Sequence, residues 1–409
     1  MWKAMIDRLL RGMIVEGRLS LRWPDGSTST YGPGGDIEVA GRLTDESILR
    51  QIALRPQLGI GEGYMDGRLQ LENDDCYGFL ALMVRNLHRG AMPPWFRAAD
   101  TLRIATRALA TRNGIARSSR NVQHHYDISD DLYARMLDAD MQYSCAYFSR
   151  PGMTLEEAQA AKKAHIAGKL LIEPGMRVLD IGCGWGGMAL TLARDYGAQV
   201  TGVTLSQNQL ATARARAEAA GLSEQVTFRL TDYRKLEDRF DRIVSVGMLE
   251  HVGLPQFSTY FSRVHELLAP DGVALIHTIG NLARPHATSP WLDRYIFPGG
   301  YIPAQSELAP AIEAARLSTT DVEIWRGHYG PTLRAWRNRF EAALDWVRTR
   351  YDERFVRMWR FYLCACEAAF EEGPQAVFHY QLAHSQHAVP VTRDYLYRDN
   401  ATPLLHAAQ

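Results

Sequence analysis

A short apolar stretch followed by spaced glycines is the part of this chain best suited to hold a ligand against its backbone. Val178, Leu179 and Ile181 predict a buried strand. The strand leads into Asp180 and a glycine turn, and residues 188–196 predict a helix. Strand, glycine turn and helix open a nucleotide-binding α/β sheet, because glycine permits a tight turn and close approach of a ligand. A glycine-rich turn without a ligand is the alternative.

The spacing of this motif is D-x-G-x-G-x-G, which differs from the dinucleotide pattern G-x-G-x-x-G. It resembles the first motif of S-adenosylmethionine-dependent methyltransferases, in which the glycines make room for the amino-acid end of the cofactor. The resemblance implies that Asp180, Gly182 and Gly184 form the first cofactor loop.

The composition is that of an ordinary globular chain. Its 409 residues allow two or three domains, with 46% hydrophobic and 22% charged residues. A formal charge of zero gives no global attraction to nucleic acid, so no nucleic-acid partner is expected. The cysteines are odd in number and lack metal-ligand spacing, which predicts neither a disulfide framework nor a metal site. They are Cys76, Cys145, Cys183, Cys364 and Cys366.

Two sequence features bear on location. No run of about 18 apolar residues predicts a membrane span, and the N-terminus lacks the apolar core of a signal peptide. Because the cysteine usage also fits a reducing compartment, we expect a cytoplasmic protein.

Residues 1–95 predict a small α+β domain without a catalytic constellation. Apolar residues recur at helical spacing through residues 1–22, so this helix either docks on its own domain or touches a membrane. Asp45 or Thr44 caps a later helix, and the glycines of residues 59–67 predict turns before a short strand. The domain faintly resembles the lipid-carrier-like domain that precedes the catalytic domain of some lipid methyltransferases.

Residues 96–120 predict a basic linker. Its six arginines and Asp100 give a local net charge of +5 (six minus one). Each basic residue near an anionic bilayer contributes roughly 1 kcal/mol of attraction, so the segment is a candidate for membrane contact. A solvated helix, or one packed on the catalytic domain, is the alternative. The arginines are Arg97, Arg103, Arg107, Arg112, Arg117 and Arg120.

Residues 121–409 predict a catalytic domain, whose leading segment to Phe148 could fold over a cofactor as a lid. After the glycine motif, apolar stretches alternate with helical patterns. This alternation predicts a doubly wound, mostly parallel Rossmann-like sheet, with the last two strands as an antiparallel edge. Strands are expected at 198–203, 226–229, 240–246, 272–278, 321–325 and 376–382.

Seven stretches, spread over roughly residues 120–390, together resemble one enzyme family. The chain is similar there to the cyclopropane-fatty-acyl-phospholipid synthases and the related mycolic acid cyclopropane synthases. GMLEHVG and IHTIG, following the glycine motif in this order, make the resemblance specific. The other stretches are QYSCAYF (142–148), TLSQNQ (204–209), TDYR (231–234) and YLCACEAAF (362–370).

The resemblance implies methyl transfer from S-adenosylmethionine to the cis double bond of an unsaturated acyl chain in a membrane phospholipid. The resulting carbocation loses a proton to a bound bicarbonate and closes to a cyclopropane ring. Such a cation requires aromatic faces, because water would trap it as an alcohol. The aromatic candidates are Tyr147, Phe148, Trp291, Tyr301 and Tyr329.

By the same resemblance, a bicarbonate pocket comprises the main chain of Cys145 and Ile279 and the side chains of Glu250, His277 and Tyr329. His277 and Tyr329 would donate hydrogen bonds to the anion. Glu250 would orient it and hold or share a proton, because two bare anions in contact repel.

Cys366 is the sixth catalytic candidate, because it matches a position once proposed as a nucleophile. Direct attack of a double bond on the methyl group needs no thiol. We therefore favour packing along a substrate channel for Cys366 and assign no role to Cys364.

The remaining cofactor contacts also follow from the resemblance. Tyr143 and Ser144 would close over S-adenosylmethionine, and Asp232 and Tyr233 would meet its adenine. No acid ends the second strand, where ribose hydroxyls are usually held. Polar residues stand there instead, as in this family: Thr204, Ser206 and Gln209.

Alternatives from other classes remain open. A related enzyme that directs the proton loss elsewhere would make methyl- or methylene-branched fatty acyl products, and a relative that lost its activity would be a lipid-binding protein. The intact set of Glu250, His277 and Tyr329 favours ring closure. The family also implies a homodimer, and we expect peripheral association with the inner face of the membrane.

Overall fold

In the computed structural model, which describes residues 1–87, 89–90, 94–111 and 129–397, a four-stranded sheet precedes a seven-stranded one. The end of the basic linker and the first part of the expected lid (112–128) lie outside the described residues. The strands are β1 (Gly17–Arg22), β2 (Thr28–Gly34), β3 (Glu38–Leu43), β4 (Leu69–Leu71), β5 (Arg177–Ile181), β6 (Gln199–Thr204), β7 (Val226–Leu230), β8 (Phe240–Val246), β9 (Leu268–Asn281), β10 (Ser318–Trp325) and β11 (Gln375–Ala383).

The α-helices of the described residues fall into two groups, one around each sheet. Those up to residue 110 are α1 (Trp2–Met13), α2 (Glu46–Leu54), α3 (Pro56–Met65), α4 (Cys76–Leu87) and α5 (Pro94–Ala110). The others are α6 (Asp130–Met136), α7 (Leu155–Leu170), α8 (Gly187–Tyr196), α9 (Gln207–Ala219), α10 (Phe257–Leu267), α11 (Pro290–Tyr295), α12 (Gln305–Ala314), α13 (Tyr329–Ala342), α14 (Leu344–Arg348) and α15 (Glu353–Glu371).

The N-terminal unit is a small α+β arrangement, as the sequence predicts. Its strands lie in the order β2-β1-β3-β4, with β1 parallel to β3 and antiparallel to β2. Asp45 caps α2 by accepting hydrogen bonds from the main-chain N–H groups of Ser47 and Ile48, so the predicted cap is confirmed.

The prediction of turns for residues 59–67 is wrong, because most of that stretch is helix α3. Its glycines are packing contacts. A Cβ added to Gly59 would lie 2.8 Å from the backbone carbon of Gln51, and one on Gly61 would lie 2.3 Å from Cδ1 of Trp291. Only glycine allows neighbours to approach this closely.

The large sheet has the predicted doubly wound topology, in the order β10-β11-β9-β8-β5-β6-β7. The neighbouring strands β9, β8, β5, β6 and β7 pair in parallel. Strand β11 pairs antiparallel with both β9 and β10. The carboxyl ends of the parallel strands therefore share one edge. A ligand site is expected at that edge, where the strand order reverses between β5 and β8.

Helix α7 covers one face of this sheet and begins with a capping box. The Thr154 hydroxyl accepts from the Glu157 N–H at 3.2 Å, and the Glu157 carboxylate accepts from the Thr154 N–H at 2.8 Å. Helix α7 buries three basic side chains against the sheet, at i, i+3 and i+7: Lys162, His165 and Lys169.

Helix α15 joins the two units. Its buried Trp359 and Leu363 belong to the same apolar core as Leu82 of α4 and Ile48 of α2. Ion pairs surround this contact, including Arg85 with Glu372 at 2.8 Å and Arg360 with Asp74. Because one continuous core crosses the boundary, the N-terminal unit is part of the folding unit that contains α15.

Helix α5 lies within the predicted linker and docks on the large unit. Arg107 pairs with Glu307 at 3.0 Å and donates to the Tyr301 hydroxyl at 3.1 Å, and Arg103 donates to the carbonyl of Thr288 at 2.6 Å. Two of the six predicted membrane-facing arginines are thus occupied by protein contacts. Arg112, Arg117 and Arg120 lie outside the described residues.

None of the described helices combines the length and the apolar run needed to cross a bilayer.

Candidate active site

A pocket opens at the carboxyl ends of the parallel strands, at the predicted switch point. The structure brings together there all nine residues that the sequence suggested for the cofactor. They are Tyr143, Ser144, Asp180, Gly182, Gly184, Thr204, Gln209, Asp232 and Tyr233.

The glycine loop forms one wall of this pocket as bare main chain. Gly182 and Gly186 have φ angles of 82° and 86°, a left-handed conformation that favours glycine. A Cβ on Gly182 would lie 2.9 Å from Cγ of Met248, and one on Gly187 would lie 2.3 Å from Nε2 of Gln142. The loop therefore leaves space at the pocket that any side chain would fill.

Asp180 is a buried carboxyl group at the base of the loop. Its Oδ2 has no hydrogen-bonding partner among the described residues. Burial raises the pKa of Asp180 to about 7, although the positive charge of Lys162 acts in the opposite direction. A ligand ammonium group would satisfy this carboxylate, and the amino-acid end of S-adenosylmethionine carries such a group, so the residues fit the expected cofactor.

Lys162 was missed by the sequence analysis and lies beneath the pocket wall. Its fully buried ammonium group donates to Oγ of Ser144 at 2.7 Å and to Oε1 of Gln142 at 2.8 Å. Burial lowers its pKa to about 8. The available signal was its helical spacing from Ala158 and Ile166, four residues away on either side, which places it on the buried face of α7.

The opposite wall is made by polar side chains after β6 and β7. Thr204 donates to Oε1 of Gln209 at 2.9 Å, which leaves the Gln209 amide NH2 as a donor. Both carboxylate oxygens of Asp232 accept hydrogen bonds from Arg234, at 2.8 and 2.6 Å. Arg234, which also lines the pocket, therefore fixes Asp232 at the edge where adenine was expected.

His251 is a second pocket residue that the sequence analysis did not single out. Burial lowers its pKa to about 4, so the ring is neutral near pH 7. Its ring lies edge-on to Phe297 at 6.0 Å. A neutral ring adds no positive charge to a pocket expected to hold a cationic cofactor.

The candidate base cluster lies behind the pocket wall. None of its six predicted residues lines the described pocket, but Ser144, which precedes Cys145, and Gly247, three residues before Glu250, do. Glu250 accepts a hydrogen bond from the N–H of Ile279 at 2.6 Å, and Gly247 donates its N–H to the carbonyl of His277 at 2.9 Å. The geometry thus unites Glu250, His277 and Ile279, and leaves the Ile279 N–H occupied by protein.

Glu250 has the properties of a proton-holding group. Burial raises its pKa to about 7, although the Ile279 N–H lowers it. Within the described chain its Oε2 has no hydrogen-bonding partner. A protonated Glu250 could therefore donate from this oxygen to an anion such as bicarbonate.

His277 forms a hydrogen bond with His379 that was not predicted from the sequence. Its Nδ1 lies 2.7 Å from Nε2 of the buried His379, the residue paired with it across strands β9 and β11. Burial, reinforced by the charge of Lys162, lowers the pKa of His277 well below its usual value. The ring is therefore neutral, and Nε2 is the nitrogen left for a ligand.

Tyr329 and Cys366 lie on the lid side of the site. Tyr329 begins α13 and packs on Phe370, with 4.5 Å between ring centres, near the buried Tyr362. The hydroxyls of Tyr362 and Tyr143 are 2.5 Å apart. Burial raises the pKa of Cys366 to about 12, which disfavours the thiolate needed by a nucleophile and agrees with a packing role.

The other two sulfur groups named for this region are also buried. Cys145 donates to the carbonyl of Ala146 at 3.3 Å, and burial raises the pKa of its thiol. Cys364 belongs to the same buried apolar core as Cys76 of α4, so it lies at the contact between the two units.

The aromatic candidates separate into two groups. Tyr147 stacks on both His165 and Trp325, with 4.8 and 4.6 Å between ring centres, beside the base cluster. Trp291 packs on Phe361 and Met65 instead, and Tyr301 bonds to Glu307. Neither lines the pocket, and a role of these two rings beside the carbocation stays a prediction.

Comparison with known proteins identifies relatives of this architecture. The family described as mycolic acid cyclopropane synthetase matches residues 114–380. The chain is 43% identical to the cyclopropane-fatty-acyl-phospholipid synthase of Escherichia coli (strain K12) over 329 residues, 80% of this chain and 84% of that protein. It is 34% identical to a probable fatty acid methyltransferase of Pseudomonas putida, over 97% of this chain and 100% of that protein.

Among solved structures, a mycolic acid cyclopropane synthase complexed with SAH and CTAB superposes with a TM-score of 0.62 at 34% identity. The match covers 64% of this chain and 97% of that chain. The predicted methyltransferase fold is thereby confirmed.

Proposed function

The chain belongs to the mycolic acid cyclopropane synthetase family, and we propose on this premise that it converts the cis double bond of unsaturated phospholipid acyl chains into a cyclopropane ring. When bound, S-adenosylmethionine supplies the one-carbon unit. One observation carries the proposal: a pocket suited to this cofactor lies beside a buried carboxyl and imidazole cluster suited to remove a proton.

The residues of the pocket bind and orient the cofactor. Asp180 accepts from its ammonium group, the glycine loop lies against it, and the Gln209 amide donates to it. Tyr143 and Ser144 close the site from the lid, where Lys162 holds Ser144 in place. These roles follow from donor and acceptor chemistry at the described positions.

The residues of the base cluster hold bicarbonate and move a proton. Glu250 keeps its proton near neutral pH and donates from Oε2, so that two negative charges do not meet. His277 presents Nε2, Cys145 contributes main chain, and Tyr329 donates its hydroxyl, while the Ile279 N–H holds Glu250 in place. Tyr147 and Trp325 shield this region from water, which protects a carbocation.

The substrate lies in a membrane, so the protein is proposed to bind the inner face peripherally, from the cytoplasm. The exposed side chains of Leu102 and Leu109 on α5 support this, because they add apolar surface to a basic segment. A homodimer is proposed from the family alone.

The proposal is tested by fatty-acid mass spectrometry after incubation with S-adenosylmethionine and liposomes of a monounsaturated phospholipid. A product heavier by one CH2 without a double bond, formed faster with bicarbonate, supports cyclopropane synthesis. A product of that mass that keeps a double bond contradicts it. Cofactor binding without product on several lipids would indicate an inactive lipid-binding relative.

A second candidate is a methyl- or methylene-branching fatty acyl methyltransferase. The similarity to the probable fatty acid methyltransferase of Pseudomonas putida, which spans 97% of the chain, favours it. The buried Glu250 and His277 favour ring closure, because they place a base beside the cofactor pocket.

A further inference from the structure

A row of titratable side chains crosses the sheet from the base cluster to the protein surface. His277 on β9 is paired with His379 on β11, and His379 is in turn paired with Glu323 on β10. Residues paired across neighbouring strands point to the same face of a sheet. Helix α7 adds His165 above this row, and His165 contacts Glu323 at 2.7 Å.

The spacing along this row suits proton transfer. His277 Nδ1 and His379 Nε2 are 2.7 Å apart, and so are His165 Nε2 and Glu323 Oε2. Between these pairs, a ring nitrogen of His379 lies within 4.8 Å of the ligand atoms of His165 and Glu323, a gap that one water molecule can bridge. Nδ1 of His379, the ring nitrogen that does not contact His277, is buried and has no hydrogen-bonding partner in the described chain.

The far end of the row can release a proton to solvent. The Glu323 side chain is 18% exposed, whereas that of His165 is 7% exposed. Burial raises the pKa of Glu323, but the hydrogen bond from His165 and the charge of Lys169 lower it to about 2. A proton that reaches this carboxylate is therefore passed on to water.

We propose that His277, His379, His165 and Glu323 form a proton-exit path for the candidate base cluster. The inference rests on the proposed function, which leaves a proton on the bound bicarbonate beside Nε2 of His277. No residue of the path beyond His277 is needed to hold the anion, so the path adds a separate role to the site.

The transfer conserves protons at every step. His277 accepts a proton on Nε2 and releases one from Nδ1 to His379 Nε2, and His379 releases one from Nδ1 toward His165 and Glu323. Each ring gains one proton and loses one, which avoids a buried imidazolium next to Lys162 and Lys169. The transfer leaves His277 protonated on Nε2, the form that donates a hydrogen bond to an anion.

A divalent metal could use the same three side chains, but the charges disfavour it. The ammonium group of Lys169 lies 2.7 Å from Oε2 of Glu323 and 3.0 Å from Oδ2 of Asp321. A fixed cation on the shared carboxylate repels a second cation.

The test compares cyclopropane formation by the wild type, His379→Gln and His165→Ala. Glutamine can hold the hydrogen bond to His277 but cannot pass a proton along, so we expect turnover to fall about tenfold or more with little change in KM. Imidazole should restore His165→Ala, whereas pyrazole, a weak base of the same shape, should not. His384→Gln, from the separate His265–His384 pair, should keep wild-type turnover.

A second measurement, made on the protein without cofactor or substrate, tests the hydrogen bond between His277 and His379 directly. In ¹⁵N-histidine spectra of the unliganded protein, the hydrogen-bonded ring proton between His277 and His379 should persist in His379→Gln and disappear in His379→Phe. Unchanged turnover of His379→Gln, equal restoration by pyrazole, or a stoichiometric metal lost on His165→Gln would each overturn the path. A wild type that makes no cyclopropane would overturn the proposed function itself.

Discussion

At the scale of single residues, two buried carboxyl groups define the two halves of the site. Asp180 faces the cofactor pocket and Glu250 the base cluster, and burial raises the pKa of each to about 7. The sequence supplied both residues through motif resemblance. It could not supply Lys162 or His379, because their roles arise from contacts between elements distant in sequence.

Asp180→Asn should stabilise the unliganded protein while weakening S-adenosylmethionine binding. Its folded-state pKa lies above the ordinary value, so folding stability falls as pH rises from about 4 to 7, and the loss is complete above that window. Removing the charge should raise the free energy of unfolding by on the order of 2 kcal/mol at pH 8, and by less at pH 5. Urea denaturation at both pH values measures this.

Asp195→Asn provides a control of opposite sign, because Arg194 lowers the pKa of Asp195. Equal stabilities of the wild type and Asp180→Asn at pH 8 would contradict the assignment of Asp180 as a buried carboxylate whose charge destabilises the unliganded fold.

Glu250→Gln should fold normally, because glutamine retains the oxygen that accepts from the Ile279 N–H. We expect a loss of turnover of about a hundredfold with unchanged affinity for S-adenosylmethionine, since Glu250 does not line the cofactor pocket. Product analysis and calorimetric titration separate the two quantities. Full activity of this variant would show that the anion site lies elsewhere.

At the scale of elements, the sequence was most informative where apolar runs alternate with helices. β8 occupies the predicted residues 240–246. The prediction from sequence failed at α3, because glycine at every second position is typical of turns. There, glycine is selected by neighbours that leave no room for a Cβ, which no local pattern reveals.

Helix α5 combines docking and exposure, and the two can be tested separately. Leu102 and Leu109 are 65% and 74% exposed, whereas Arg107 is held by Glu307. The double variant Leu102→Glu and Leu109→Glu should bind anionic vesicles several-fold more weakly with unchanged thermal stability, because only exposed surface is altered. Vesicle sedimentation measures binding, and undiminished binding would place the membrane contact outside α5.

At the scale of the whole molecule, the two units share one hydrophobic core, to which α15 and α11 both contribute. The contact between the units could not be predicted from the sequence, because the joining residues are ordinary apolar and charged side chains on both sides. A shared core predicts that both units unfold together.

Gly61→Val should weaken the packing between the two units. The added side chain would meet the Trp291 ring, where even a Cβ would be 2.3 Å away. We expect the free energy of unfolding to fall by about 2 kcal/mol or more, and the single calorimetric transition to split or broaden. Gly168→Ala is the matched control, because its Cβ would find only Leu396 at 3.5 Å. A wild type with two separate transitions would contradict the shared core.

The thin wall between the pocket and the base cluster has one further consequence. Ser144 and Gly247 line the pocket, while Cys145 and the carbonyl of His277 stand directly behind them. A ligand on either side thus fixes the same two segments, and their binding free energies are linked. Thermodynamic reciprocity then requires equal effects in both directions. If bicarbonate changes the affinity for S-adenosylmethionine by some factor, the cofactor changes the affinity for bicarbonate by the same factor.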